Sequence, residues 1–304
     1  MRVGVIGTGV MGSNHLRVIN SIDKLELTCA VDINSDNLER NTIEYGIVKK
    51  NNFKDILNEV DSVVVSSPTE THYEIAKFFI ENKKNVMIEK PITFTVEQAD
   101  ELIERAKKNS ITLAVGHIER FNPAVIYIKD LIKHPLFIEI QRLGQFSMRS
   151  LDIDVVLDLM IHDLDIILRW DNSGVKEIRS SGIAVISKKI DIANTRIEFN
   201  SGLVANVTAS RISQRKTRKL RIFQRNRYFS VDYKKKTVKS YELDGKEIKE
   251  DVPYIDDIEP LFLMWKNFYD FCKEGKGFVV SGEQGKEALK LALLVSKSIR
   301  KIET

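Results

Sequence analysis

A glycine-rich segment near the N-terminus has the residue types and spacing to bind a pyrophosphate. The segment is Gly7-Thr8-Gly9-Val10-Met11-Gly12, directly after an apolar run at 2–6. In this pattern the first glycine permits a tight turn, the second lets backbone N–H groups approach the phosphates, and the third allows a helix to pack closely on a strand. Glycines also cluster in ordinary turns, but here a predicted strand precedes them and a predicted helix follows. We therefore predict a dinucleotide-binding loop formed by these residues.

Asp32 indicates which dinucleotide the loop would hold. It lies 20 residues past Gly12, at the end of the second predicted strand, where a carboxylate can accept hydrogen bonds from both ribose hydroxyls. Its charge would repel a 2′-phosphate, and the next residues, Ile33 and Asn34, provide no arginine to receive one. The sequence thus favours NAD over NADP.

A second group of candidates follows two later strands, at the edge where open parallel sheets bind their ligands. Ser67 and Pro68 close the run at 62–66, and Glu89 and Lys90 close the run that begins at Asn85. We predict that these four residues contact the cofactor. The usual role of a lysine is a solvated surface charge, but an ammonium group in this position could stabilise a developing alkoxide.

The apolar segment 151–170 carries an unusual line of polar side chains. Asp158, His162 and Asp165 are spaced i, i+4 and i+7, so they share one face of a predicted helix that is apolar elsewhere. Because unpaired buried charges are costly, we expect this face to border a polar cavity. A histidine one turn from a carboxylate suits general-base catalysis, and a structural His–Asp pair is the alternative.

Three more residues are candidates for binding a substrate. Arg120 and Asn122 could donate hydrogen bonds in a cleft between domains, although the stretch before Pro123 could equally be a hinge that starts a helix. Arg211 begins a basic run at 211–227. That run could be a solvated sheet face, a subunit interface, a nucleic-acid site or an anchor for a diphosphate-bearing substrate.

Two histidines and the cysteines are given no catalytic role. His15 and His72 could touch the cofactor or merely support nearby helices, so both stay outside the catalytic set. Cys29 and Cys272 have no paired metal-ligand spacing, and Asp158 with His162 lacks an evident third ligand. We predict no metal site.

The elements that would position these residues alternate between strand and helix over residues 1–120. The strand candidates are 2–6, 25–31, 62–66, 85–89 and 111–115, and the helix candidates are 10–21, 35–45, 52–59, 71–82 and 96–109. Thr95 and Gln98 form a capping box for the last of these helices. The alternation predicts a parallel sheet wrapped by helices, which is a Rossmann arrangement.

The second part of the chain has the period-two pattern of an antiparallel sheet. The strand candidates are 136–148, 176–187, 192–199, 203–210, 218–224, 227–233 and 236–243, and further helices are expected at 123–133, 259–274 and 283–301. We predict an α/β protein with a dinucleotide-binding Rossmann domain at 1–121. An α+β domain at 122–304 would carry the substrate and oligomer contacts on a large, mainly antiparallel sheet, and its last helix could pack back on the first domain.

Composition sets the broad class of protein. The 304 residues are 43% hydrophobic and 30% charged, which excludes disordered and low-complexity classes and suits about two domains. The net charge of +4 does not demand nucleic acid. The two cysteines fit a reducing compartment, and neither a signal peptide nor a membrane-spanning run is evident. We expect a cytoplasmic protein that binds no membrane.

Taken together, these motifs resemble the Gfo/Idh/MocA oxidoreductase family over nearly the whole chain. Gly7 to Gly12, Glu89-Lys90-Pro91 and Asp158-x-x-x-His162 occur in the order of that family. The resemblance implies an NAD(P)-binding Rossmann domain, hydride transfer to or from a secondary alcohol, and Lys90, Asp158 and His162 as catalytic and substrate-binding residues. It also implies a homodimer or homotetramer formed through the C-terminal sheet.

Within the family, segments 116–124, 154–165 and 209–223 are similar to the branch that oxidises the 3-hydroxyl of UDP-N-acetylglucosamine, after which an aminotransferase installs nitrogen. Many relatives have glycines where this chain has Val155 and Val156, which again resembles the sugar-nucleotide branch. The alternatives are a dehydrogenase of inositol, a free sugar or a UDP-uronic acid, and a non-catalytic dinucleotide-binding regulator. We expect Lys90 and His162 to meet around one nicotinamide, with either of them as the base.

Overall fold

The computed structural model describes residues 1–146 and 153–301. Two compact units can be distinguished by their internal contacts. The first comprises residues 1–118 and 258–289, and the second comprises residues 119–257 and the chain from residue 290 onward.

The first unit contains a parallel sheet of six strands among the described residues, in the order β3-β2-β1-β4-β5-β6. The strands are β1 (Arg2–Ile6), β2 (Glu26–Val31), β3 (Val48–Lys50), β4 (Ser62–Val65), β5 (Asn85–Ile88) and β6 (Leu113–Val115). The strand order reverses between β1 and β4, and ligands of such sheets bind outside the carboxyl ends at this reversal. The predicted Rossmann architecture is confirmed.

Helices flank this sheet. They are α1 (Val10–Asn20), α2 (Ser35–Thr42), a 3₁₀ helix at Phe53–Glu59, α3 (Thr69–Glu81), α4 (Val96–Asn109) and α7 (Pro260–Glu274). α4 begins with the predicted capping box, in which the Thr95 hydroxyl accepts from the N–H of Gln98 and the Gln98 side chain accepts from the N–H of Thr95. α7 joins this unit through the contact between α1 and α7.

Over the described residues, the second unit holds a nine-stranded sheet in the order β14-β13-β12-β11-β7-β10-β9-β8-β15. Its strands are β7 (Phe137–Leu143), β8 (Val175–Ile183), β9 (Ile192–Phe199), β10 (Val204–Ser210), β11 (Thr217–Gln224), β12 (Arg227–Asp232), β13 (Thr237–Asp244), β14 (Glu247–Asp251) and β15 (Ile299–Lys301). The β7–β10 and β8–β15 pairs are parallel and the others antiparallel. The mainly antiparallel sheet is as predicted.

Alternation along these strands separates a buried face from an exposed one. On β11, Leu220 and Ile222 are fully buried, whereas Lys219 and Arg221 are exposed, as their spacing predicts. The helices of this part of the chain are α5 (Pro123–Ile128), a π-helical segment at Val156–Met160 and α6 (Ile161–Leu168). The last helix is α8 (Gly282–Ser298). Its residues up to Leu289 belong to the first unit and those from Lys290 belong to the second.

Several predicted boundaries are wrong. The helix expected at 283–301 ends at Ser298, and 299–301 form a strand because Ile299 to Lys301 pair with β8. The helix expected at 123–133 ends at Ile128, and β3 and β14 were not predicted. Residues 147–148 of the predicted strand and 151–152 of the predicted helix lie outside the described residues. In the part of the chain that is described, no helix is long and apolar enough to span a membrane.

Candidate functional site

The glycine loop packs so tightly that two of its glycines have no room for a side chain. Gly7 has φ +89°, and a Cβ there would meet the backbone of Ser66 and Ser67 at 2.6–2.8 Å. A Cβ on Gly12 would lie 1.9 Å from the carbonyl oxygen of Gly7. At Gly9, by contrast, a Cβ would have nothing within 4 Å. The loop therefore leaves open space next to the N-terminus of α1, where backbone N–H groups attract anions.

Asp32 is held beside this loop by its own hydrogen bonds. Oδ2 accepts from the backbone N of Thr8 at 2.8 Å and from its hydroxyl at 2.9 Å, and Oδ1 accepts from the N of Asn34 at 2.9 Å. A carboxylate has about four acceptor sites, so roughly one remains on Oδ1 for a ribose hydroxyl. The open space at Gly9 and this oriented carboxylate fit a dinucleotide.

The end of β4 lies beside the glycine loop at the reversal of strand order. The Ser66 hydroxyl donates to the carbonyl of Gly7 at 2.8 Å, which ties the two loops together. Ser67 shares a 2.7 Å hydrogen bond with Thr71, and Pro68 is the N-cap residue of α3. Ser67 and Pro68 are therefore placed at the edge of the sheet where cofactor contact was predicted.

Glu89 and Lys90 follow β5 but differ in accessibility. Lys90 is half-buried and precedes a cis peptide bond to Pro91. Glu89 is 7% exposed, and its Oε1 lies 2.9 Å from Nε2 of His15 while Oε2 accepts from the N of Lys90 at 3.2 Å. Burial alone would raise the pKa of Glu89, but the hydrogen bond from His15 and the positive charge of Lys90 lower this pKa on balance. Both carboxylate oxygens thus already have protein partners.

His72 bridges the segments after β4 and β5. Its Nε2 lies 2.9 Å from the carbonyl oxygen of Ser67, and its Nδ1 lies 2.9 Å from that of Pro91. The ring is 1% exposed. Burial lowers the pKa of His72, although the two carbonyl acceptors oppose the lowering. His72 therefore supports two neighbouring loops from inside the protein.

In the second unit, Asp158 and His162 lie on a continuous helical segment whose first turn is not α-helical. Asp158 is within the π-helical turn, and His162 is in the first turn of α6. The Asp154 carboxylate accepts from the N–H groups of Val156 and Leu157 at 3.0 Å, which caps the start of the segment. Both Asp158 and His162 are half-buried. π-turns occur frequently at functional sites, because one extra residue re-aims the side chains that follow.

Asp165 does not share the environment of the other two members of the predicted polar line. Its carboxylate accepts from Nε and Nη2 of Arg120 at 2.8 and 2.7 Å, and the two side chains are 1% and 3% exposed. The expectation of one polar cavity along the whole line is therefore wrong for Asp165. Arg120, predicted to bind substrate, is committed to this buried ion pair.

A second buried ion pair, between Arg142 and Asp163, was not predicted from the sequence. Arg142 donates to both oxygens of Asp163 at 2.7 and 2.8 Å and to Glu119 at 2.8 Å, and all three side chains are at most 8% exposed. Asp163 and Asp165 thus anchor α6 from two sides. Two charged residues flanking Leu164 in an apolar helix are the signal that could have indicated buried partners.

Asn122 and Arg211, also predicted to bind substrate, are buried in structural contacts. Asn122 is the N-cap of α5, accepting from the N of Ala124 at 3.1 Å and donating to the carbonyl of Tyr233 at 3.0 Å. Arg211 donates to the Asp191 carboxylate at 2.9 Å and to the carbonyl of Ile153 at 3.0 Å. Arg211 therefore fixes the carbonyl of Ile153, three residues before the π-turn begins at Val156.

No group of three or more potential metal ligands comes together in the ranges 1–146 and 153–301. Burial raises the pKa of the Cys29 and Cys272 thiols to about 11. Neither thiol is a ready nucleophile near neutral pH.

Substituting alanine for Gly12 and for Gly9 should affect different properties of the protein, stability in the first case and cofactor binding in the second. We expect Gly12→Ala to cost more than about 2 kcal/mol of unfolding free energy, because its Cβ collides with backbone. Gly9→Ala should cost at most about 1 kcal/mol, because Gly9 is the N-cap of α1 and alanine caps a helix less well than glycine. It should nevertheless weaken dinucleotide binding, since its methyl group occupies the open space. Urea unfolding and cofactor titration measure the two effects. Equal loss of stability in both variants would contradict this account of the loop.

The lowered pKa of His72 predicts a loss of stability in acid. The unfolded chain binds a proton near the ordinary histidine pKa of about 6.5, and the folded chain only at lower pH. The contribution of His72 to the unfolding free energy is therefore fully present above about pH 6.5. It declines as the pH falls towards the pKa of His72 in the folded chain. His72→Gln should show a smaller drop in unfolding free energy between about pH 7 and about pH 5. The exposed His134→Gln is the control, and an unchanged drop in His72→Gln would disprove the assignment.

Comparison with known proteins extends the similarity beyond the motifs. Residues 1–117 match the Gfo/Idh/MocA family, described as an oxidoreductase family with an NAD-binding Rossmann fold. The chain is 37% identical to UDP-N-acetylglucosamine 3-dehydrogenase of Acidithiobacillus ferrooxidans over 79% of this chain and 77% of that protein. The solved structure of that enzyme superimposes with a TM-score of 0.93 at 33% identity, covering 98% of this chain and 97% of the other.

A second relative has a different substrate in its name. The myo-inositol 2-dehydrogenase of Thermotoga maritima is 27% identical and spans 98% of this chain and 96% of its own length. The expected oxidoreductase activity and NAD cofactor are confirmed at the level of the family, and the individual site residues stay predictions. The extent and identity of these matches show that the chain belongs to the Gfo/Idh/MocA family of NAD-binding oxidoreductases.

Proposed function

We propose that this protein oxidises the 3-hydroxyl of UDP-N-acetylglucosamine to the 3-keto sugar with NAD. The observation that carries the proposal is the similarity to the Acidithiobacillus enzyme, which extends over 98% of the chain in structure. Residues 1–121 would bind the cofactor, and residues 122–304 would bind the substrate and a second subunit. An aminotransferase acting on the keto sugar would be the next enzyme.

The cofactor would be held by residues at the carboxyl edge of the parallel sheet. They are Gly7, Thr8, Gly9, Val10, Met11, Gly12, Asp32, Ser67, Pro68 and Lys90, with Glu89 acting behind Lys90. When bound, NAD supplies the acceptor for the hydride that leaves the substrate carbon. Asp32 would select NAD because its negative carboxylate would repel the 2′-phosphate of NADP. Ile33 beside it is apolar and 91% exposed, so it provides no positive charge for that phosphate.

The chain's own residues would handle the proton and the developing charge. His162 accepts the hydroxyl proton at a ring nitrogen, and Asp158, one turn away, orients the imidazole or the sugar. Lys90 donates a hydrogen bond to the developing oxyanion and so lowers the energy of the charged transition state. Lys90 as the base and His162 as the donor is the alternative assignment.

The three other predicted substrate-binding residues would act by positioning. Arg120, Asn122 and Arg211 each have polar atoms committed to protein partners and are at most 5% exposed. Through Asp165 and Ile153, the two arginines hold both ends of the segment that carries Asp158 and His162. A substitution there would lower turnover by moving that segment.

The exposed face of the second sheet would form a homodimer or homotetramer. Phe223, Tyr228 and Tyr241 lie on neighbouring strands of this face and stack at centroid distances of 4.7 and 5.3 Å. The three rings are half-buried within a charged surface. Aromatic side chains among charges are typical of protein interfaces.

Appearance of NADH across a panel of substrates tests the proposal. The panel consists of UDP-N-acetylglucosamine, a UDP-uronic acid, free N-acetylglucosamine and myo-inositol. We expect turnover with UDP-N-acetylglucosamine, and reduction of the product with borodeuteride should place the label at carbon 3. Turnover with myo-inositol alone would favour the function named for the Thermotoga relative. NAD binding without turnover of any panel member would indicate a dinucleotide-binding regulator.

Removing the imidazole of His162 should affect chemistry and spare cofactor binding. We expect His162→Asn to lower kcat by roughly 10²–10⁴, because general-base catalysis contributes about that factor. The Kd for NAD should stay within about twofold of the parent value, since the substitution alters proton transfer only. Steady-state kinetics and NAD titration measure the two quantities, with His134→Asn as the control. Full turnover combined with weak NAD binding would overturn the role of His162.

A further inference from the structure

A buried hydrogen bond in the first unit determines which nitrogen of His15 carries the proton. The indole Nε1 of Trp265 lies 2.9 Å from Nδ1 of His15, and the two rings meet edge to face at 87°. An indole N–H can only donate, so Nδ1 must be the accepting, unprotonated nitrogen. Both side chains are fully buried, so no solvent competes for this bond. His15 is therefore the neutral tautomer with its proton on Nε2.

The tautomer of His15 dictates what its other partner must be. Nε2–H of His15 donates to Oε1 of Glu89 at 2.9 Å, and the backbone N–H of Lys90 donates to Oε2 at 3.2 Å. The group at position 89 thus meets one donor at each of its two terminal atoms. A carboxylate accepts at both, whereas a carboxamide of the same shape accepts at one and donates at the other.

The Glu89 carboxylate is packed closely against the backbone of Gly116. A Cβ on Gly116 would lie 2.8 Å from Oε1, 2.9 Å from Cδ and 3.1 Å from Oε2, so the group rests directly on the backbone at Gly116. Glu89 is 7% exposed and cannot turn its oxygens to bulk water. Any mismatch of donor and acceptor would have to be absorbed by the His15 ring or by the backbone at Lys90.

We propose that Trp265, through the tautomer of His15, imposes a carboxylate at position 89 and so positions the backbone of Lys90. Trp265, His15 and Glu89 are positioning residues: their chain of directed hydrogen bonds ends on the N–H of the lysine. The consequence for catalysis rests on the proposed function of Lys90, whereas the direction of the hydrogen bonds does not.

Glu89→Gln and Trp265→Phe, alone and combined, test this chain. In Glu89→Gln one N–H must face another, and the mismatch should displace the backbone of Lys90 that donates to position 89. We therefore expect kcat to fall at least about tenfold, which corresponds to the low end of the cost of one unsatisfied buried donor. With phenylalanine at 265, His15 is free to carry its proton on Nδ1 and to accept the glutamine amide at Nε2. This removes the contact between two N–H groups next to Lys90 and leaves the unsatisfied N–H on the opposite side of the His15 ring. The double variant should therefore recover at least about threefold in kcat over Glu89→Gln. The same sign of coupling is expected in the unfolding free energies.

The other tryptophan provides a matched control. Trp170 donates its indole N–H to the carbonyl of Lys129 at 3.3 Å and has no part in the Glu89 chain. Trp170→Phe combined with Glu89→Gln should give no recovery. Recovery with Trp170→Phe equal to that with Trp265→Phe would overturn the proposal, because the effect would then not depend on the His15 tautomer.

The tautomer itself can be observed without substrate and in the unmodified chain. In protein labelled with ¹⁵N-histidine, NMR shows ring-nitrogen resonances from only five histidines. The resonances that are absent from the spectrum of His15→Gln belong to His15. We expect an unprotonated Nδ1 and a protonated Nε2 in the parent protein. A protonated Nδ1, or additive effects of the two substitutions on unfolding, would overturn the hydrogen-bond chain. The expected tautomer and coupling in a protein that oxidises no sugar would uphold the chain while refuting the proposed function.

Discussion

The buried carboxylate of Glu89 is the constraint around which the first unit is arranged. A carboxylate removed from water must receive hydrogen bonds from the protein, because leaving one unpaired costs several kcal/mol. Glu89 obtains them from His15 on α1 and from the backbone that follows β5, and it rests on Gly116 after β6. One charge therefore aligns a helix and two strand ends at the edge of the sheet where such folds bind their ligands.

The second unit solves the same physical problem with arginines. Arg120 and Arg142 each form two hydrogen bonds with the carboxylate of an aspartate on α6, which fixes the rotation of that helix about its own axis. With Asp163 and Asp165 turned to these arginines, His162 takes a different face of the helix and stays half-buried. Ion pairs with both partners buried give rigid placement, and removing one partner would leave an uncompensated charge.

Much of the fold could be predicted because it follows local patterns. Five of the strands of the first unit, the glycine loop and the capping box at Thr95 follow from the types and spacing of residues that are close together in the sequence. The missed elements lack such patterns: β14 is exposed along its whole length, and the three residues of β15 continue the pattern of a helix. The π-turn before α6 was also missed, since one extra residue in a turn leaves no mark on residue types.

For the site, the sequence by itself indicated the family, predicted the glycine loop as a dinucleotide site and supplied the candidates Lys90, Asp158 and His162. Tertiary structure decided which polar residues are available for chemistry. The sequence made Arg120, Asn122 and Arg211 candidates for substrate binding and placed Asp165 in line with Asp158 and His162. In the folded chain each of the four side chains is hydrogen-bonded to a buried partner. The reason is physical: a motif depends on neighbours along the chain, whereas the pairing of a buried charge depends on residues brought together from 20 to 74 positions away.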